Sequence, residues 1–304
     1  MENVEVVATG LRFPEGPVVL ADGSVLVAEI ARGTVTRVEP DGRVEIVKEV
    51  GGGPNGLAIG PDRALFIANN GGRFTFSEQG GLLIPGHPPA EHRGGAIQRL
   101  DLASGELRTL YDACDGERLQ APNDLVFDCR GGFYFTDHGY ADREGLKWGA
   151  LYYARADGSE IRLLAGHFVS PNGVGLSPGR DVVYMADTAL GRLWAFDLAE
   201  PGVLGPPPPM HPARVVATMP DYQLFDSLAV EEDGRVCVAT IINGGITAVA
   251  PDGTTEHHPY PDPIVTNIAF GGADMRDAWI TASGTGALVR ARWPRPGLKL
   301  AHDG

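Results

Sequence analysis

The chain has 304 residues, 43% of them hydrophobic and 21% charged, with a formal net charge of −14. That balance describes a globular protein with a substantial core and excludes a nucleic-acid partner, which needs a basic footprint. No window approaches the ~18 apolar residues of a membrane span and the start, MENVEVVATG, lacks a signal-peptide pattern, so the expectation is a cytoplasmic protein with no membrane partner.

In chain order, the first element is the β-branched run Val4 to Thr9, followed by PVVLADGSVLVAEIARGTVTRVEPDGRVEIV. That stretch reads as four short strands: Val18 to Leu20, Val25 to Ala28, Thr34 to Val38 and Val44 to Val47, with turns at Asp22-Gly23 and Asp41-Gly42. Asp-Gly between β-branched runs is the strongest short hairpin signal. The unit recurs, opening near Phe13, Gly53, Ala121, Ser170, Phe225 and Val265. A repeat of a four-stranded meander at roughly 40 to 70 residues predicts a propeller. The fold expected is all-β: a six-bladed β-propeller forming one domain over residues 1–304, with the strand near 4–9 closing the last blade. Two long insertions, 69–95 and 138–149, read as lids over one mouth. They carry Arg73, Phe74, Phe76, His138, Tyr140 and Trp148. Cys114, Cys129 and Cys237 form no C-x-x-C pair, which argues against a zinc site or a disulfide framework; Cys129 and Cys237 read as core thiols.

The chemistry lies in the repeat phase. Glu15, Asn55, Asn123, Asn172, Asp226 and Asn267 occupy the same place in the six units, at the start of the innermost strand. A propeller gathers such positions around its axis. All six offer oxygen and none offers nitrogen or sulfur, which suits a hard divalent cation: Ca²⁺ first, with Mg²⁺, Mn²⁺ or Zn²⁺ as alternatives. Taken singly, each P-N-G is a turn whose amide bonds local backbone; the set, recurring at one phase and including two carboxylates, reads as a metal ring.

FPEGPVV, PNDLVFD, PNGVGLSP, FDSLAVEEDGRV and TNIAFGG resemble the signature segments of the senescence marker protein/gluconolactonase/luciferin-regenerating-enzyme family of six-bladed propellers. The resemblance spans essentially the whole chain. It implies a metal-dependent lactonase with Glu15, Asn123, Asn172 and Asp226 as ligands and Asp226 as general base or nucleophile. Asn55, Asp124 and Ser227 then support the ligands or the substrate. Three departures stand out. Val19 occupies a position that is often Trp in the family, and Ser227 one that is usually Gly. Ala121 stands where sugar lactonases often carry an Arg that contacts substrate hydroxyls. With aromatic residues on the lids, the Ala121 departure predicts a small-molecule lactone or ester less polar than gluconolactone, turned over by a monomer or small homo-oligomer. A fluorophosphatase-like phosphotriesterase, a non-catalytic calcium-binding propeller and a strictosidine-synthase-like propeller are the alternatives.

Overall fold

The structure, a computed structural model, describes residues 1–142 and 145–302; residues 143 and 144 of the second expected lid, and the last two residues, lie outside it. Six antiparallel sheets form the blades of a propeller. Blade I is Pro14–Val19, Val25–Glu29, Thr34–Val38 and Val44–Glu49. The inner strands of blades II to VI are Pro54–Ile59, Pro122–Phe127, Pro171–Leu176, Leu224–Val230 and Val265–Gly271. Each inner strand touches the next, and that of blade VI touches that of blade I, which closes the ring. The outer strand of blade VI is Glu2–Ala8, paired antiparallel with Ala287–Arg292. The first and last segments of the ring are thereby held in one sheet, removing an open edge.

Burial follows radial position. The second strands are almost wholly buried, as in Val25–Glu29 and Leu65–Asn69, because they pack against both neighbouring blades. Outer strands such as Val44–Glu49 face solvent along most of their length. The core accordingly divides into clusters between adjacent blades. One joins Tyr134, Leu151 and Phe168 of blade III to Met185 and Trp194 of blade IV.

All six inner strands break register at the same height. Between Glu15↔Ala28 and Val18↔Leu26, three steps on the inner strand oppose two on its neighbour. The same one-residue excess occurs after Pro54, Pro122, Pro171, Phe225 and Val265. A β-bulge re-aims a side chain that strict alternation would send elsewhere, and here each bulge coincides with the polar residue of the repeat. Gly16 shows how tightly the bulges pack. It has φ +53°, and a Cβ there would stand inside van der Waals contact of the Asn55 carbonyl and 2.8 Å from the Leu57 nitrogen. Both obstacles are backbone and cannot turn aside. Gly16→Ala is therefore expected to lower unfolding free energy by roughly 2–4 kcal/mol, read from denaturant midpoints at unchanged m-value.

Below the bulges the channel is apolar. Residues 298–302 enter it from the far end, where Leu298, Leu300, Ala301 and His302 join Val18, Val126 and Val174 in its lining. Leu298 N donates to Val230 O (2.8 Å) and the His302 ring stands edge-on to Phe127, with centroids 5.4 Å apart. Glu231, wholly buried, anchors this tail by accepting from Trp293 Nε1 (2.7 Å) and Arg295 Nε (2.5 Å).

Of the two expected core thiols, one departs from expectation. Cys237 is buried, whereas Cys129 is exposed. Asp128 Oδ1 accepts from Arg130 N and Gly132 N, winding a tight turn that puts Cys129 at its tip, outside the core.

Candidate metal centre

The bulges place Glu15, Asn55, Asn123, Asn172 and Asn267 at the channel mouth, each at most 5% exposed; Asp226 is partly exposed. Glu15 Oε2 accepts from Asn267 Nδ2 (2.7 Å) and from Gly16 N (2.6 Å). Asn267 Oδ1 in turn accepts from Ile268 N (2.7 Å), which fixes the amide's orientation. Asn172 is held from two sides: its Nδ2 donates to Thr188 Oγ1 (3.0 Å), and its Oδ1 accepts from Ser227 Oγ (3.2 Å). Asp124 spans two blades, taking Leu125 N (2.8 Å) on its own strand and Val174 N (3.3 Å) on the next.

Charge is crowded at this mouth. Burial, with Asp124 nearby, pushes the Glu15 carboxyl up to about 8 despite its hydrogen bonds. Burial pushes Asp124 up to about 7. Asp226 is raised well above the carboxylate range, first by burial and then by the negative charge of Glu15. Carboxylates so placed cannot all ionise at neutral pH without a cation. Asn123 Oδ1 is the complementary observation: it is buried and accepts no hydrogen bond among the described residues. An unpaired buried carbonyl oxygen is costly unless a donor or a cation completes it. Among the described residues no three His, Cys, Asp or Glu side chains converge tightly enough to ligate a metal by themselves. The oxygens gathered at the mouth belong to carboxyl and amide groups, the donor types that a hard cation favours.

The first insertion contains a hairpin, Phe76–Gln79 paired with Leu82–Pro85, where a Gly/Pro-rich sequence suggested only loop. It reaches from blade II past blade I to blade VI. Leu83 N donates to Gly284 O (2.8 Å), and Leu83 packs with Phe13, Ile30 and Ile264. Phe74 and Phe76 join the same apolar cluster.

The other expected site residues divide. Arg73 and His138 lie together between blades II and III. Tyr140 stands edge-on to His92 (5.1 Å), where the two insertions meet. Trp148 is a correction. It is half exposed, and its ring packs against His167 on the outer strand of blade III, so it does not line the mouth. The tight approach of Gly139 to the backbone of residues 147–149 holds Trp148 on that side.

A six-bladed propeller with an oxygen-only ring at one mouth is the class that fold and geometry define. The chain belongs to the SMP-30/gluconolactonase/LRE-like family, whose model matches residues 13–284. It is 25% identical over 279 residues to a gluconolactonase of Zymomonas mobilis, covering 82% of this chain and 70% of that protein. It is 29% identical over 246 residues to lactonase drp35 of Staphylococcus saprophyticus, covering 80% and 68%. Among solved structures, a Xanthomonas campestris gluconolactonase superposes with TM-score 0.75 at 24% identity, covering 96% of this chain and 89% of that one. The calcium-binding protein regucalcin of Agrobacterium tumefaciens superposes with TM-score 0.71 at 18% identity, covering 97% of each chain.

Proposed function

We propose that the protein is a carboxylic-ester hydrolase that opens a lactone and depends on a divalent metal. The observation that carries this reading is the pairing of crowded, buried carboxylates with the orphaned Asn123 carbonyl, in a chain whose relatives include a gluconolactonase and a lactonase. Glu15, Asn123, Asn172 and Asp226 would hold the cation. Bound there, a divalent cation supplies Lewis-acid polarisation of an ester carbonyl.

The chain's own residues do the rest. Asn267 fixes Glu15, and Thr188 with Ser227 fixes Asn172, so the donors need little reorganisation when substrate arrives. Asp226 is the least enclosed of the carboxyls and the one able to meet substrate. It accepts the proton of the attacking water as general base. Phe74, Phe76 and Leu83 bury their apolar surface against Phe13, Ile30 and Ile264 at the rim of the mouth. Ala121, completely buried, offers no donor to a polyhydroxylated ring, so the preferred lactone carries fewer hydroxyls than gluconolactone.

A lactone panel tests this, assayed after exhaustive EDTA treatment and again with Ca²⁺, Mg²⁺, Mn²⁺ or Zn²⁺ restored. The expected result is activity that disappears on chelation and returns with at least one cation. Full activity in the chelated protein would remove the metal from the proposal, and a tightly bound cation without lactone or ester turnover would favour a binding role.

A further inference from the structure

Arg73 is held in place from several directions. It follows Asn70-Gly71-Gly72, where Asn70 Oδ1 accepts from Gly72 N and Arg73 N, both at 3.0 Å. Gly71 and Gly72 take φ of +71° and +76°, which turns the loop sharply after Asn70. The Arg73 side chain then crosses from blade II to blade III, where Nε donates to Gly139 O (3.1 Å). Its guanidinium lies 4.2 Å from the centre of the Phe74 ring.

Only one of its five N–H groups is used in this way among the described residues. Among the described residues no carboxylate forms an ion pair with it. Asp137 is near enough to favour its charge, but both Asp137 oxygens are occupied by backbone N–H groups. Gln120 N (2.6 Å) donates to one, and Ala121 N (2.8 Å) and Gly139 N (2.9 Å) to the other. His138 adds no second charge: burial and the Arg73 cation push it down to about 3, so it stays neutral. Arg73 itself is drawn down by burial to about 10 and remains a cation at neutral pH. A largely desolvated guanidinium with its terminal amines unmatched is costly unless an anion completes it.

Its location gives that anion a meaning. His138 N donates to Ala121 O (2.9 Å), so the Arg73–Gly139–His138 contact lies beside Ala121, two residues ahead of Asn123. That is where sugar lactonases of this family often place an arginine from the inner strand. Here the strand supplies Ala, and the cation arrives from the lid loop, stacked on an aromatic ring. A forked guanidinium matches a carboxylate in two parallel hydrogen bonds, which a single hydroxyl cannot exploit.

We propose that Arg73 determines specificity by binding a carboxylate carried on the lactone ring of the substrate. This rests on the lactonase reading. The test uses a γ-butyrolactone bearing a carboxylate on the carbon beside the ring oxygen, and the matching carboxamide. Wild type is expected to prefer the carboxylate. Arg73→Met should cut kcat/KM for it by about 10- to 100-fold, mainly through KM, while changing the carboxamide by less than about two-fold. Arg73→Lys should recover part of the loss. No wild-type preference, or equal losses on both compounds, would overturn the assignment. Should wild type open no lactone at all, the lactonase reading fails by itself. The anion site is then judged by calorimetric titration with the ring-opened hydroxy-diacid. Binding to wild type that Arg73→Met abolishes would sustain it, and no binding to wild type would overturn it.

Discussion

Asp226→Asn should cost the protein its turnover without costing it its fold. The substitution keeps an oxygen donor at nearly the same place but removes the proton acceptor, so kcat should fall by about 10²- to 10⁴-fold. The same change relieves like-charge crowding, because the negative charge of Glu15 raises the proton affinity of Asp226. In EDTA at about pH 8 the variant should therefore melt at or above the wild-type temperature. That pairing separates a functional carboxylate from a structural one, whose loss lowers the melting temperature. Undiminished turnover, or a clear loss of stability under chelation, would remove Asp226 from the role assigned to it.

Without metal, stability should fall as pH rises. Glu15 keeps its proton in the folded state up to about 8, against 4.5 when unfolded, and Asp124 keeps its own up to about 7. Between those limits the native state binds more protons than the unfolded one, so unfolding free energy declines with increasing pH. The contribution is fully present below the unfolded values, near pH 4, and has gone above about pH 8. A drop in melting temperature on the order of 10 °C from about pH 5 to about pH 8 is expected in EDTA. With saturating Ca²⁺ the slope should largely vanish, since a cation stabilises the ionised carboxylates. Parallel thermal melts decide the matter: a flat profile in EDTA would mean that the carboxyls are not crowded as described.

Much of the fold was legible in the sequence because a propeller repeats its instructions. Asp22-Gly23 and Asp41-Gly42 announced hairpins, and the recurring polar residue after Phe or Pro gave the blade phase. The six inner strands start within a residue or two of the positions so inferred. What the sequence left out is the means of aiming. Nothing in P-N-G spells out a β-bulge, yet the register shifts turn Asn55, Asn123 and Asn172 toward one axis. Local pattern also hid the long-range contacts. The hairpin at Phe76–Pro85 gains its burial from Phe13 and Ile264, far away in the chain, and Arg73 finds Gly139 across a blade boundary. Trp148 and Cys129 show the opposite error. An apolar residue beside a strand looks like lining or core, whereas one tight turn or close backbone approach can send it outward.

The tail anchored by Glu231 gives the molecule a direction. With Leu298, Leu300 and His302 occupying the far end of the channel, the axial passage is a blind well rather than a tunnel. Whatever reaches the polar residues at the open mouth enters and leaves by that one end. Ring opening turns one ester into a hydroxyl and a new carboxylate, so the departing molecule is more anionic than the one that arrived. On the proposal made for Arg73, it would pass on leaving the same cation that received it. The hold of Arg73 on substrate and its release of product are thus set by the same two unmatched amines, and tightening one slows the other.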